Sequence, residues 1–350
     1  MGDKIEGKRI LYIGPLNKGT ITTQRIDSLR DLGAEVISFD TSPYIKSLKN
    51  PISRRLAFKY SFGPMVPKLN KEIITFAQSK QFDIVWVNKG IIIHPNTVKL
   101  LKEKSELGIA IHYTADPAIV THLTRYFSAS IPIYSHCVTT KSYEVELYKN
   151  RGVQELIFVQ QGYDTSFIEM FPDKTNTDEI YDVVFIGRGE EHYVNCIRAV
   201  SEVTENIAIW GPWDKTIKKN PDLSKYWKKQ SVFGTEYVNK LREGKICLGL
   251  LCKLHPDKST TRSFEIPAAG SFLLGERSDE HLSLYNEGVE AEFFESVEEL
   301  KEKIRYYLNN EIKRKAIAVA GRNRCIESKY SNKDRLEYIL YQVLESNNGN

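Results

Sequence analysis

Tyr181-Asp182-Val183-Val184-Phe185-Ile186-Gly187-Arg188-Gly189 is an apolar run closed by a glycine turn, and it restarts a pattern first met at Ile10-Leu11-Tyr12-Ile13-Gly14. Such a run is long enough for a buried strand, and the turn leads into helical periodicity, the opening of a βαβ unit. A chain of 350 residues that begins this pattern twice has room for two α/β domains.

Working outward from the first start, Gly14-Pro15-Leu16-Asn17-Lys18-Gly19 reads as a turn. Ile21, Ile26, Leu29 and Leu32 line one side of a helix that Gly33 ends, and Ala34 to Phe39 forms the next strand. Strands are expected at 83–88, 108–113, 135–140 and 156–159, with helices at 97–107 and 141–152. Phe171 to Asp178 is polar and aperiodic, the composition of a linker. From the second start, strands are expected at 207–210, 231–233, 246–250 and 271–274, then helices at 297–308 and 312–329 and an amphipathic helix at 333–344. The expected architecture is therefore α/β, with two Rossmann-like domains at 1–170 and 181–330 joined by 171–180. Open parallel sheets bind at the carboxyl ends of their strands, so a ligand is expected in a cleft between the two.

Composition narrows the function. A 41% hydrophobic fraction supports two cores, and 27% charged residues is ordinary for a soluble protein. The net charge of +4 is read as spread along the chain with no basic tail or arm, which does not point to nucleic acid. No apolar run approaches the roughly 18–20 residues of a membrane span, and the N-terminus lacks a signal-peptide pattern. Five cysteines without a CxxC pair suggest reduced thiols, hence a cytoplasmic protein, which the slight basic excess would also let sit at a membrane surface. Seven scattered histidines offer no metal-ligand spacing, so no metal and no bound cofactor are expected.

The segment from Asp257 to Phe272 carries the most chemistry. It follows a strand, combines hydroxyls with basic side chains, and leads into a short helix whose free N–H groups would favour an anion. Arg262 offers a fork donor suited to a diphosphate, and Glu265 can accept two hydrogen bonds from a diol. Gly187-Arg188-Gly189 permits close approach of backbone to phosphate, although without a third glycine it is equally a plain turn. At the end of the 108–113 strand and just past it, His112 and Asp116 stand where a base could deprotonate an acceptor hydroxyl; Asp116-Pro117 is also a common turn.

Thr261-Arg262-Ser263-Phe264-Glu265-Ile266-Pro267-Ala268-Ala269-Gly270-Ser271-Phe272-Leu273-Leu274, followed by Gly288-Val289-Glu290-Ala291 and Ser296-Val297-Glu298-Glu299-Leu300, resembles the GT-B glycosyltransferases and most closely their CgeB-like branch. His112-Tyr113-Thr114-Ala115-Asp116-Pro117 looks like the same family's Asp-Pro segment. The resemblance implies a transferase using a nucleotide diphosphate-sugar donor and a glycan, lipid-linked or protein acceptor, with the closing helix packed back on the first domain. Glu265 matches the second Glu of the E-x7-E signature, placed on the donor ribose. The first falls on Asp257, a shorter carboxylate. Thr261, Arg262, Arg188, Gly187, Gly211 and Lys253 would line the donor, and Gly14 the loop approaching it. No D-x-D is present to hold a metal, so arginines and helix ends would counter the diphosphate. Alternatives of other classes are a non-catalytic surface or assembly protein of this fold and a GT-B epimerase.

Overall fold

The computed structural model describes residues 5–17, 21–169, 171 and 179–348. The chain divides into two compact units, one of residues up to Gln160 with those from Asn332 onward, the other Gln161–Ser331. The second unit thus begins ten residues before the expected linker, of which 172–178 lie outside the described residues.

The first unit holds a six-stranded parallel sheet of β1 (Arg9–Gly14), β2 (Glu35–Asp40), β3 (Ile84–Asn88), β4 (Ile109–Thr114), β5 (His136–Thr139) and β6 (Glu155–Phe158), in spatial order β2-β1-β3-β4-β5-β6. The second holds a five-stranded parallel sheet of β7 (Tyr181–Ile186), β8 (Ile207–Trp210), β9 (Gly244–Gly249), β10 (Leu273–Glu276) and β11 (Glu292–Phe294), ordered β11-β10-β9-β7-β8. In each, the first strand stands inside the sheet with later strands added on both sides. The order reverses between β1 and β3, and between β7 and β9, which are the places where such sheets open a crevice.

Strand alternation explains why both faces are apolar. Leu11 and Ile13 enter one core with Val85 and Val87, while Ile10 and Tyr12 enter another with Ile84 and Trp86. Likewise Val183 and Phe185 pack on one side of the second sheet and Val184 and Ile186 on the other. Parallel sheets require cover on both faces, and these near-continuous apolar runs follow from that.

Some expectations fail. Ser231–Phe233 forms no strand; Trp227 makes a single bridge to Ile209 instead. The expected 271–274 strand lies at Leu273–Glu276, and Glu292–Phe294 is a strand too short to announce itself by alternation. The expected helix at 141–152 shrinks to a 3-10 turn, Ser142–Glu144, and a helix, Val145–Lys149.

The last helix, Asn332–Asn348, joins the first unit. Its Leu336, Ile339, Leu340, Val343 and Leu344 pack in the core that holds Ile10, Tyr12 and Trp86. Ile339 is 0% exposed. Ile339→Ala should therefore cost about 2–5 kcal/mol through lost burial and a residual cavity. Chemical denaturation of the variant against the parent measures this, and a cost near zero would mean that the helix is not part of the core.

Candidate functional site

The donor-side residues come from the carboxyl ends of three adjacent strands, β9, β7 and β8. Gly187 follows β7 and Gly211 follows β8, and their backbones nearly touch. A Cβ on Gly211, whose φ is 124°, would lie 2.1 Å from the Gly187 carbonyl oxygen. Neither the angle nor the space admits a side chain. The Trp213 indole N–H donates to the Gly187 carbonyl at 2.9 Å, and that of Trp227 to the Gly211 carbonyl at 3.0 Å. These tryptophans are thus packing and hydrogen-bonding struts for the turns.

Arg262 opens the seven-residue helix Arg262–Ala268 after β9 and lies against Gly187, where an added Cβ would stand 3.0 Å from its Nη1. Its Nη2 donates to the Leu250 carbonyl at 2.7 Å, and its guanidinium sits 5.3 Å from the centre of the Phe185 ring. The buried Nε has no hydrogen-bond partner among the described residues. One edge of the fork is therefore anchored while the remaining donors are uncommitted. Arg188, next in the chain after Gly187, is exposed.

Glu265, one helical turn after Arg262, is half-buried and accepts a 2.7 Å hydrogen bond from the Tyr237 hydroxyl. Burial pushes its carboxyl above the ordinary value; Tyr237, Arg262 and the Thr261 hydroxyl hold the rise in check, while Asp164 adds to it. Tyr237 escaped sequence reasoning, because nothing at Phe233-Gly234-Thr235-Glu236 says which side of the following helix will meet Glu265.

The helix start is organised differently from the expectation. The N–H groups of Ser263, Phe264 and Glu265 donate to the Thr260 and Thr261 carbonyls, and that of Thr260 to the Ser263 hydroxyl at 3.0 Å. These amides are engaged within the segment, so positive charge here comes from the arginine side chains. Ser263 also hydrogen-bonds His281 Nε2 at 2.7 Å, and His281 Nδ1 lies 2.6 Å from the Glu276 carbonyl. A carbonyl only accepts, so Nδ1 carries the proton, and the buried ring, held neutral, accepts from Ser263 through Nε2. That buried pair fixes where the Arg262 helix begins.

Two other expected donor residues stand differently. Lys253 is ion-paired with the buried Glu276, which also accepts from the Leu251 N–H at 2.7 Å and meets His192 at 3.0 Å. Its charge is already countered, so it is not a free phosphate ligand. Asp257 is half-buried in the turn before Thr261 and has a partner of its own within the chain.

In the first unit, Gly14, Lys89 and Asp116 follow or end β1, β3 and β4, again three neighbouring strands. A Cβ on Gly14 would stand 2.9 Å from Asn88 Cβ, so a glycine permits the two strand ends to close together. Of its loop, Lys18 and Gly19 lie outside the described residues. Lys89, in the left-handed region with φ 69°, pairs with Asp116 at 2.6 Å. Burial by itself would raise the Asp116 carboxyl, but Lys89, with His122 and Lys141, outweighs it and holds the group below its ordinary value. The Asp116 side chain is 56% exposed and accessible to an acceptor.

His112 is a correction. It lies within β4 on the same face as Ala110, 0% exposed, with Phe127 and Tyr134 rings centred 4.5 and 5.4 Å away. Neither ring nitrogen reaches hydrogen-bond geometry, although the nearby Lys89 backbone slightly favours the charged form. Burial pushes its pKa down to about 4. The alternation of the strand turns it into the core rather than toward the strand ends.

Among the described residues no group of three or more His, Cys, Asp or Glu is placed to hold a metal ion, and no helix is long and apolar enough to cross a membrane.

Residues 191–341 match the family described as glycosyl transferase-like. No curated protein matches the chain. Among solved structures, HepE of Anabaena in complex with UDP is 11% identical, with a TM-score of 0.64 over 97% of this chain and 100% of that one. Sucrose-phosphate synthase from Thermosynechococcus elongatus is 11% identical, with a TM-score of 0.66 over 97% and 99%. A UDP-N-acetylglucosamine 2-epimerase is also 11% identical, at 0.54 over 96% of each chain. The fold is therefore that of the GT-B glycosyltransferase structures, two parallel Rossmann-like sheets, and 191–341 is similar to a glycosyl transferase-like domain.

The Tyr237–Glu265 bond has a readable consequence. Tyr237→Phe removes a donor that favours the carboxylate, so the Glu265 pKa should rise further, as followed by carboxyl NMR titration. Because the folded value lies above the unfolded one, stability falls as pH rises from the unfolded value through the folded one, and in the variant this decline should extend to higher pH. A Glu265 pKa that is unchanged or lower in the variant would show that the bond does not favour the ionised form.

Proposed function

We propose that this protein is a glycosyltransferase that moves a sugar from a nucleotide diphosphate donor to an acceptor hydroxyl without a metal ion. The observation that carries this is the cluster of Arg262, Glu265 and Tyr237 against Gly187, with Arg188 exposed beside it at the carboxyl ends of adjacent strands. Glu265 accepts from the ribose hydroxyls. The two arginines counter the diphosphate, whose negative charge grows as the sugar leaves. That HepE of Anabaena is seen with UDP and with UDP-glucose supports a uridine nucleotide as the first donor to try. The ordered series from Thr261 to Leu274 supports a place beside the CgeB-like branch.

On the acceptor side, Asp116 takes the proton of the attacking hydroxyl. The oxygen forms its bond to the sugar's anomeric carbon while the bond to phosphate breaks, and the electron pair leaves with the nucleoside diphosphate. Lys89 keeps Asp116 ionised and so able to accept. A glycan, a lipid-linked sugar or a protein hydroxyl would serve as acceptor. The free cysteines, all but Cys252 buried, accord with a cytoplasmic setting.

Calorimetry with UDP tests the donor site. Arg262→Ala and Glu265→Ala should each weaken binding roughly tenfold to hundredfold, the cost of about 1.5–3 kcal/mol for a hydrogen bond to a charged group. Unchanged affinity in both variants would remove the proposed site. Incubation of the protein with a UDP-sugar and acceptor should release UDP. Epimerised sugar with UDP still attached would favour an epimerase, and inertness with no UDP binding a non-catalytic protein.

Once an acceptor is found, Asp116→Asn should lower kcat about 10²–10⁴-fold with UDP affinity unchanged. A base acts only when ionised, so the acid limb of the parent's pH profile should lie below the ordinary carboxylate range. Lys89→Met should move that limb upward; a limb that stays in place would detach Asp116 from the rate.

A further inference from the structure

The charge of the chain is not evenly spread, contrary to the reading from composition. Residues 41–71 hold seven Lys and Arg and no Asp or Glu. The bounding acids are occupied: Asp40 accepts from the Leu16 and Ser42 amides at 2.9 and 2.8 Å, and Glu72 from the Tyr44 hydroxyl. At the centre of this segment is the helix Pro51–Tyr60, capped by the Asn50 side chain.

That helix turns only one narrow side inward, where Ala57 is 1% exposed and Phe58 packs against the core. Ile52, Leu56 and Tyr60 recur every four residues on the opposite side, 69%, 36% and 56% exposed. Ser61, in the left-handed region at φ 51°, ends the helix, and the Phe62 N–H donates back to the Leu56 carbonyl at 3.2 Å. This fixes Phe62, 67% exposed, at the end of the stripe. Arg55 and Lys59 lie along the edge of the stripe and are themselves exposed. Phe62 also lines a groove of about 860 Å3 with Val66, Pro67, Lys71, Ile74 and Tyr126.

We propose that this face docks the protein on an anionic phospholipid surface. Exposed aliphatic and aromatic side chains between cations fit both parts of such a surface: the apolar stripe enters the acyl boundary while Arg55 and Lys59 reach the phosphates. A nucleic acid would satisfy the cations but would leave Ile52 and Leu56 without a counterpart. A purely apolar protein partner would leave the cations facing no opposite charge. The inference is independent of the donor site.

The test is co-sedimentation of the full chain with vesicles of phosphatidylcholine alone and of phosphatidylcholine with phosphatidylglycerol, at low and high salt. Binding is expected only to the mixed vesicles and should weaken with salt. Arg55→Gln with Lys59→Gln should reduce it roughly thirtyfold, from about 1 kcal/mol per cation near an anionic surface. Ile52→Ser with Phe62→Ser, which removes no charge, should also reduce it severalfold. All four side chains point to solvent, so the melting temperature and UDP affinity serve as controls that the variants are folded. Failure of the parent to sediment, equal sedimentation with both vesicle types, or an apolar variant that binds like the parent would overturn the proposal. So would RNA binding in place of vesicle binding, or a self-association that the Ile52 and Phe62 changes abolish while vesicles are ignored.

Discussion

A parallel sheet leaves no face for water, and most of this structure follows from that constraint. Crossover helices must cover each sheet on both sides, so the strands carry apolar residues at odd and even positions alike. In the first unit Ile10 and Tyr12 need cover opposite Leu11 and Ile13, and the closing helix at Asn332–Asn348 supplies part of it. With both faces sealed, the strand ends are what the sheet can offer a ligand. The chemistry-bearing residues collect there in both units.

At those ends, backbone contact decides what side chains can do. Gly187 and Gly211 approach so closely that a methyl group on either would meet its neighbours, and the room left beside Gly187 is filled by the Arg262 guanidinium. Anchored through one nitrogen to the Leu250 carbonyl, that guanidinium loses little freedom on meeting an anion. It also lies near the Glu265 carboxyl and partly offsets the burial that opposes its ionisation. The two groups of the proposed nucleotide site are thus each held by a separate contact, Arg262 by the Leu250 carbonyl and Glu265 by the Tyr237 hydroxyl. The buried Ser263–His281 pair sets the helix from which both project.

The alternation of apolar runs with turns was legible because burial on both faces writes itself into local composition. Arg262, Glu265, Gly187 and Gly211 were legible for the same reason that glycines and charged residues near strand ends stand out from apolar surroundings. Lys253 and His112 were not. A lysine's partner is set by a carboxylate brought from another strand, here Glu276, and a histidine two positions from a strand's end can face the core or the crevice. Tyr237 and His281 were invisible because their meaning lies in contacts with residues 28 and 18 positions away. The basic segment at 41–71 was present in the sequence but masked by a net charge of only +4 over the whole chain.

By itself, then, the sequence determined two parallel α/β sheets, most of their strands and the segment richest in charged and hydroxyl groups, because each depends on neighbouring residues. The tertiary structure alone decided which of those groups are spent on the fold. Lys253 is held by Glu276, His112 is enclosed by Phe127 and Tyr134, the amides of the Arg262 helix are turned on their own segment, and Asp116 is poised by Lys89. Whether a polar group is free to meet a ligand depends on what stands beside it in space, and that is settled only when distant strands pair.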